Sequence, residues 1–470
     1  TPAMQFISTR GTAPSASFSD VLLAGLAPDG GLYLPETWPQ ISGGLQGMRY
    51  QDAAFRILSE FSRESFSDAE LRPAVEAAYA GFDAATIAPL SEIGEGRYLL
   101  ELFHGPTLAF KDIALQVLGQ LFSRALTKRG GRATIVAATS GDTGSAAIAA
   151  LGGLPNIDVF VMHPRGRVSD VQRLQMTTSN HANVHNIALN GSFDDAQAIV
   201  KALFADKPFA DEISLTAVNS INFARIAAQC VYYFTATSAL ENLARDAGAS
   251  ATFVVPTGNF GDIFAGEAAS RMGLDVARLV IATNANDIMA RALNDGVYAS
   301  GASHATLSPS MDIQVASNFE RALFEAAHRD ADWTAAAMND FTRTRRLELP
   351  PPVLAELRGR YSAFASDDDE TRAAIKAVYR LTGRIIDPHT AVGVAAAMKM
   401  GSKNQGPLSP VVILSTAHPA KFPQAVTEAI GAPPPEPERL AGLKNLPERQ
   451  DVLDKDAVLI KRFISSKLAA

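Results

Sequence analysis

The stretch Ala133-Thr134-Ile135-Val136-Ala137-Ala138, running directly into Thr139-Ser140-Gly141-Asp142-Thr143-Gly144-Ser145, decides the fold. Its first half is a row of small and β-branched residues and reads as a buried strand. The second half is a turn of small residues and hydroxyls, and an alanine-rich helical stretch begins right after it. In that order, backbone amides and the groups of Thr139, Ser140, Gly141 and Thr143 converge at the positive end of a helix, a cradle for a carboxylate or phosphate. No lysine follows the glycines and the spacing is not G-x-G-x-x-G, which disfavours a nucleotide loop. A tight structural turn fits the same residues.

Working outward, strand patterns recur at Tyr98 to Phe103, Ile157 to Met162, Val184 to Leu189, Ala251 to Val255, Leu279 to Thr283 and Val411 to Ser415. Amphipathic stretches such as Ile113 to Lys128 and Phe223 to Ala244 lie between them. Strands alternating with helices predict parallel pairing, because parallel neighbours need long crossovers, and the centre is therefore α/β. Residues 1–95 read as a mostly helical N-terminal lobe, with a capping box at Ser67-Asp68-Ala69-Glu70. Residues 96–315 and 380–430 form the expected α/β core in two subdomains. Residues 316–379 read as a helical insertion broken at Pro350-Pro351-Pro352, and 431–470 as a C-terminal extension beginning in a proline-rich run.

The chain has 470 residues, 47% hydrophobic and 19% charged, enough apolar material for a sizeable core in more than one lobe. A net charge of −7 supplies no global basic field, which argues against nucleic acid or an anionic membrane as partner. The one cysteine, Cys230, excludes an internal disulfide framework and fits a reducing compartment, with the cytoplasm as the default. The opening Thr1-Pro2-Ala3-Met4 lacks a basic segment followed by an apolar stretch, and no secretory leader is expected. No apolar run reaches the roughly 20 residues of a membrane helix.

Lys111 lies in His104-Gly105-Pro106-Thr107-Leu108-Ala109-Phe110-Lys111-Asp112, after a strand and at a helix start. Partial desolvation against Phe110 and the positive helix end both disfavour its ammonium form, and a neutral amine is what a Schiff base with an aldehyde cofactor requires. An ordinary solvated lysine fits that position as well. Pro256-Thr257-Gly258-Asn259-Phe260-Gly261-Asp262 repeats the strand, glycine turn and helix, giving a second anion cradle or a second structural turn. In Asn219-Ser220-Ile221-Asn222-Phe223-Ala224-Arg225, hydroxyl, amide and guanidinium groups open a long helix and suit a phosphate; an N-cap with a surface arginine is the alternative. Arg165 and Arg167 add donors, while Asp170 with Arg173 and Glu320 with Arg321 read as surface ion pairs. Thr416, at the end of a strand in Leu414-Ser415-Thr416-Ala417-His418-Pro419-Ala420-Lys421, offers a hydroxyl to a heterocycle nitrogen. His104, His389 and His418 lack metal-ligand spacing with one another or with a thiolate, and no G-x-S-x-G elbow is present.

Taken in order, Ile7 to Gly11, Ala27 to Tyr33, the Lys111 segment, Ala138 to Ala147, Asn219 to Ile226, Pro256 to Asp262, Ser308 to Ile313, Ser317 to Phe324 and Ser415 to Pro423 resemble threonine synthase. That family belongs to the fold type II (tryptophan synthase β) group of pyridoxal-phosphate enzymes, and the match is to its longer microbial and fungal branch. The resemblance implies an α/β fold with parallel-rich open sheets flanked by helices. The implied reaction is O-phospho-L-homoserine plus water to L-threonine plus phosphate, by β,γ-elimination and replacement through a Lys111 Schiff base. It implies Gly258, Asn259, Phe260 and Asp262 as the cofactor-phosphate loop, Thr416 as partner of the pyridine nitrogen, and Phe110 beside the cofactor. Thr139, Ser140, Gly141 and Thr143 would take the substrate carboxylate; Asp142 stands where many relatives carry an Asn on the cofactor's phenolic oxygen. Ser220, Asn222 and Arg225, with Arg167 and Lys421, would grip the substrate phosphate. No metal is implied, and the assembly is expected to be a monomer or homodimer. A phospho-lyase or dehydratase of the same fold, and a non-catalytic binding protein, remain the competing readings.

Overall fold

Two parallel-rich sheets organise the chain, one of six strands and one of five, with helices packed against them. The computed structural model describes residues 3–43, 45–94, 96–243, 250–401 and 409–470. Across the larger sheet the order is Tyr361–Ala365, Val276–Thr283, Ala251–Pro256, Val411–Ser415, Arg97–Glu101 and Leu90–Gly94. All neighbours are parallel except the final hairpin pair. The smaller sheet runs Asp451–Asp454, Val184–Asn190, Ile157–Pro164, Ala133–Ala138 and Leu215–Thr216, parallel throughout. Every strand read from the sequence lies in one of these sheets, and Ala133–Ala138 and Val411–Ser415 have the bounds read from the sequence. Central strands such as Ala251–Pro256 are buried at every position, as expected for parallel strands covered on both faces.

The helices follow the same logic. Lys111–Arg129 stops at Gly130, whose left-handed φ of 66° ends the helix without a Cβ clash. Ser67 and Glu70 form the expected capping box at the start of Asp68–Tyr79. The long helix occupies Phe223–Leu243; Ala244, the last residue expected in it, lies outside the described residues, as do Thr1 and Pro2. The prolines at 350–352 do not simply break the chain: Pro351 opens the helix Pro351–Arg360, where a missing N–H is no loss in the first turn.

Three segments outside the 96–315 and 380–430 stretches complete the core sheets. Leu90–Gly94 pairs antiparallel with Arg97–Glu101, and Tyr361–Ala365, inside the region expected to be helical, is a parallel edge strand of the larger sheet. Asp451–Asp454 closes the other edge, on the smaller sheet, and the following helix Ala457–Leu468 buries Ile460 and Ile464 against it. The N-terminal part joins the main core: Phe223 at the start of the long helix packs in tilted or edge-on contact with Phe6, Trp38 and Phe61. Among the described residues no helix is long and apolar enough to cross a membrane.

Candidate active site

Four parallel strands, ending at Glu101, Ala138, Pro256 and Ser415, release their chains toward one cavity of about 1020 Å³. Crevices beyond the carboxyl ends of parallel strands are where open α/β sheets bind ligands. Lys111 and Phe110 line it from one segment, and Thr139, Ser140, Asp142 and Thr143 from another. Ser220, Arg225, Gly258, Asn259, Phe260, Asp262 and Thr416 also lie on its wall.

The Lys111 segment is held in place by its own sequence. Thr107 donates its backbone N–H (2.8 Å) and its hydroxyl (2.7 Å) to the buried Asp112 carboxylate, closing the loop ahead of the helix. Gly105 is needed because a Cβ there would sit 2.5 Å from that of Asp112. The Phe110 amide donates to the Thr416 carbonyl (2.8 Å) and that of His418 to Leu108 (3.0 Å), which lays the segment alongside the end of Val411–Ser415. Leu108 and Phe260 both have left-handed φ values, 62° and 70°, and non-glycine strain of this kind gathers at functional sites. Lys111 Nζ donates to Thr143 Oγ1 at 2.9 Å. Burial, reinforced by the charges of Arg225 and Lys421 and opposed by Asp142 and Asp112, pulls its pKa down to about 8.

The two glycine turns are donor-rich. The N–H groups of Ser140, Asp142 and Thr143, and those of Gly258, Asn259 and Phe260, donate to no acceptor among the described residues. Thr139 Oγ1 accepts from the amides of Gly141 and Gly144, both at 2.9 Å, and shapes the first turn. Gly141 adopts φ 146° and packs on Gln172, so it supports the turn from behind the cavity wall. In the second turn, a Cβ on Gly258 would press on the Ser310 carbonyl at 3.2 Å. Arg225 is 4% exposed, its Nε has no partner, and burial lowers its pKa to about 10. Asp262 is raised to about 7 by burial, with Tyr232 and Arg225 opposing, and its Oδ2 is also unpartnered. Partner-poor amides and an uncompensated buried guanidinium fit a phosphate-bearing cofactor or substrate and do not fit a closed, self-satisfied core.

Besides Gly141, three expected ligand residues do not line the cavity. Arg167 is exposed on the turn after Ile157–Pro164. Asn222 is buried, donating to the Leu22 carbonyl (2.9 Å) and accepting from the Ala224 amide (3.0 Å), so it ties the long helix to the N-terminal part. Lys421 lies fully buried behind Asp142, at 2.7 Å from its Oδ1. Arg321 corrects the surface-pair expectation: it is 0% exposed and donates to Tyr33 (3.0 Å) and Ile221 (2.6 Å) carbonyls, bracing the loop that carries Ser220. Its neighbour Glu320 pairs with Arg10 at 2.9 Å.

Other residues reach the site unannounced. Ser310 Oγ donates to Asp142 Oδ2 (3.1 Å), and Gln172 Nε2 to Oδ1 (3.2 Å). His389 accepts from the Ser310 amide at Nε2 (3.2 Å) while Nδ1 faces Asp387 Oδ2 at 2.7 Å, which assigns the ring proton to Nδ1. Each comes from a separate stretch of chain, and only the resemblance at Ser308 to Ile313 had touched any of them.

With this geometry in view, the comparisons with known proteins agree. Residues 5–79 match the family described as threonine synthase N terminus, 87–351 that of pyridoxal-phosphate dependent enzymes, and 390–464 the threonine synthase C-terminal family. The threonine synthase of Pseudomonas aeruginosa is 47% identical over 467 residues, covering 98% of each chain. The chain belongs to the threonine synthase family. Among solved structures of this family, the pyridoxal-phosphate-bound threonine synthase of Brucella melitensis aligns with TM-score 0.96 at 46% identity over 100% of both chains. The yeast threonine synthase aligns with TM-score 0.93 at 37% identity over 99% of both. The threonine synthase match extends through the N-terminal part and the C-terminal strand and helix, so the pieces that complete the two sheets belong to the family fold.

Proposed function

We propose that this chain converts O-phospho-L-homoserine and water to L-threonine and phosphate, with pyridoxal phosphate held on Lys111. The observation that carries the reading is one reactive amine on the wall of a cavity that also presents two partner-poor anion cradles and a buried arginine. Membership of the family supports it. When bound, pyridoxal phosphate supplies an electron sink for carbanions beside an imine.

The chain's own residues do the rest. With its pKa near 8, roughly a tenth of the Lys111 amine is neutral at pH 7, enough to attack a carbonyl carbon and later to carry a proton on the same nitrogen. The Thr143 hydroxyl orients that nitrogen. Amides of Gly258, Asn259 and Phe260 would hold the cofactor phosphate, and the Thr416 hydroxyl would meet the ring nitrogen without protonating it. The turn of Ser140 to Thr143 would take the substrate carboxylate at a helix start. Ser220 and Arg225 would hold the substrate phosphate, and the guanidinium would stabilise it as it leaves. Gripping both ends of the substrate keeps the bond to be broken aligned and water away until phosphate departs.

Incubation of the purified chain with pyridoxal phosphate and O-phospho-L-homoserine tests this. Equal amounts of phosphate and threonine are expected. Ammonia and a 2-oxo acid would instead show a phospho-lyase or dehydratase of the same fold, and no turnover would show a binding protein.

A further inference from the structure

The Asp142 carboxylate creates a problem that the rest of the site must answer. It is adjacent in sequence to Thr143, whose hydroxyl holds Lys111 Nζ at 2.9 Å, and a carboxylate so close would tend to claim the amine as an ammonium. Yet its oxygens are already engaged: Oδ1 by Lys421 Nζ at 2.7 Å and Gln172 Nε2 at 3.2 Å, and Oδ2 by Ser310 Oγ at 3.1 Å. Lys421 has no access to a ligand. Its side chain is 0% exposed and its other bond runs to the Thr107 carbonyl at 2.9 Å. A buried cation that cannot reach the substrate acts on what it touches, which is Asp142 and the loop that ends in Lys111.

We propose that Lys421 is a positioning residue whose ammonium binds the Asp142 carboxylate so that the Lys111 amine stays free to be neutral. This rests on the reading of Lys111 as the reactive amine. The pair also spans the two sheets, since Asp142 follows Ala133–Ala138 and Lys421 follows Val411–Ser415, so the charge balance at Lys111 depends on both lobes being in register. Around Lys111 the charged groups are Asp142 on the neighbouring helix, Asp112 on its own, Arg225 on the long helix, and Lys421; His389 faces Asp142 from the helix Pro388–Gly401. With Lys421 present, Asp142 is held well below the usual carboxylate range despite burial, which opposes its ionisation. Removing Lys421 leaves Asp142 with Lys111 as its nearest remaining counter-charge.

The test is competitive acetylation of the full chain, stripped of cofactor, with a trace of acetic anhydride across pH 6 to 10, quantified at the Lys111 peptide by mass spectrometry. Acetic anhydride reads the neutral amine directly, without turnover. Wild type should show a midpoint near 8. Lys421→Met should raise it by about one pH unit, roughly tenfold less neutral amine at pH 7. Asp142→Asn should lower it, and the double variant should return toward wild type. An unmoved midpoint in Lys421→Met overturns the proposal. Should Lys421→Met fail to fold, Lys421→Gln takes its place: a raised midpoint supports the proposal and an unmoved one overturns it. Borohydride reduction of the pyridoxal-phosphate-loaded wild type is run beside it; cofactor found on another lysine means that the functional reading has failed, independently of the Lys421 result.

Discussion

Arg225 stands against stability and in favour of binding, and replacing it by methionine should separate the two. The guanidinium is 4% exposed, its Nε has no partner, and burial brings its pKa down to about 10. At about 1.4 kcal/mol per pH unit, that depression corresponds to about 3 kcal/mol of uncompensated desolvation. The sign follows from the direction: a cation with a depressed folded pKa carries the full penalty below that pKa and loses it only as pH rises above it, so measurement at pH 7 reads all of it. Arg225→Met keeps most of the aliphatic volume, and urea unfolding in phosphate-free buffer should show a gain of about 1–3 kcal/mol. With pyridoxal phosphate filling the Gly258 to Phe260 cradle, inorganic phosphate at about ten times its Kd should stabilise wild type by about 1.4 kcal/mol and leave the variant unmoved. Turnover of O-phospho-L-homoserine should fall by about 10² to 10³ in kcat/KM, the loss typical of one missing oxyanion donor. A variant that unfolds more readily than wild type while keeping phosphate protection would refute the reasoning, because the guanidinium would then be a satisfied structural group.

Lys111→Ala should keep the wild-type circular dichroism spectrum but lose both turnover and any borohydride-trapped cofactor; persistent turnover would remove Lys111 from the chemistry. Gly141→Ala should destabilise by about 2–4 kcal/mol in urea, since φ is 146° and the new Cβ would sit 2.2 Å from Gln172 Cδ, displacing the bond to Asp142. Asp262→Asn should gain on wild type by about 2 kcal/mol between pH 5 and pH 7. Burial raises the Asp262 carboxyl to about 7, so the folded protein binds more protons than the unfolded chain in that window and loses stability as pH rises. A constant gap between the two proteins across those pH values would show Asp262 to be ionised throughout.

The amino-acid sequence by itself determined the alternation of strands and helices and the glycine turns that follow two of the central strands. Buried parallel strands are continuous β-branched runs closed by glycine or proline turns, so Ala133–Ala138 and Val411–Ser415 could be bounded from their residues alone. Tyr361–Ala365 and Asp451–Asp454 escaped that reading because they are short edge strands, recognisable only by the sheet edge they pair with. Lys111, Thr143 and Arg225 were legible because helix starts and glycine turns announce donors. What no local pattern could say is which face of the cavity wall a side chain occupies. Lys421 and Asn222 carry ligand-like chemistry but point into the protein, while Ser310, Gln172 and His389 arrive from distant segments. Tertiary structure decided this, because burial and pairing of charges depend on contacts between residues tens to hundreds of positions apart, and those contacts turn a run of polar side chains into either a ligand site or the frame that holds one.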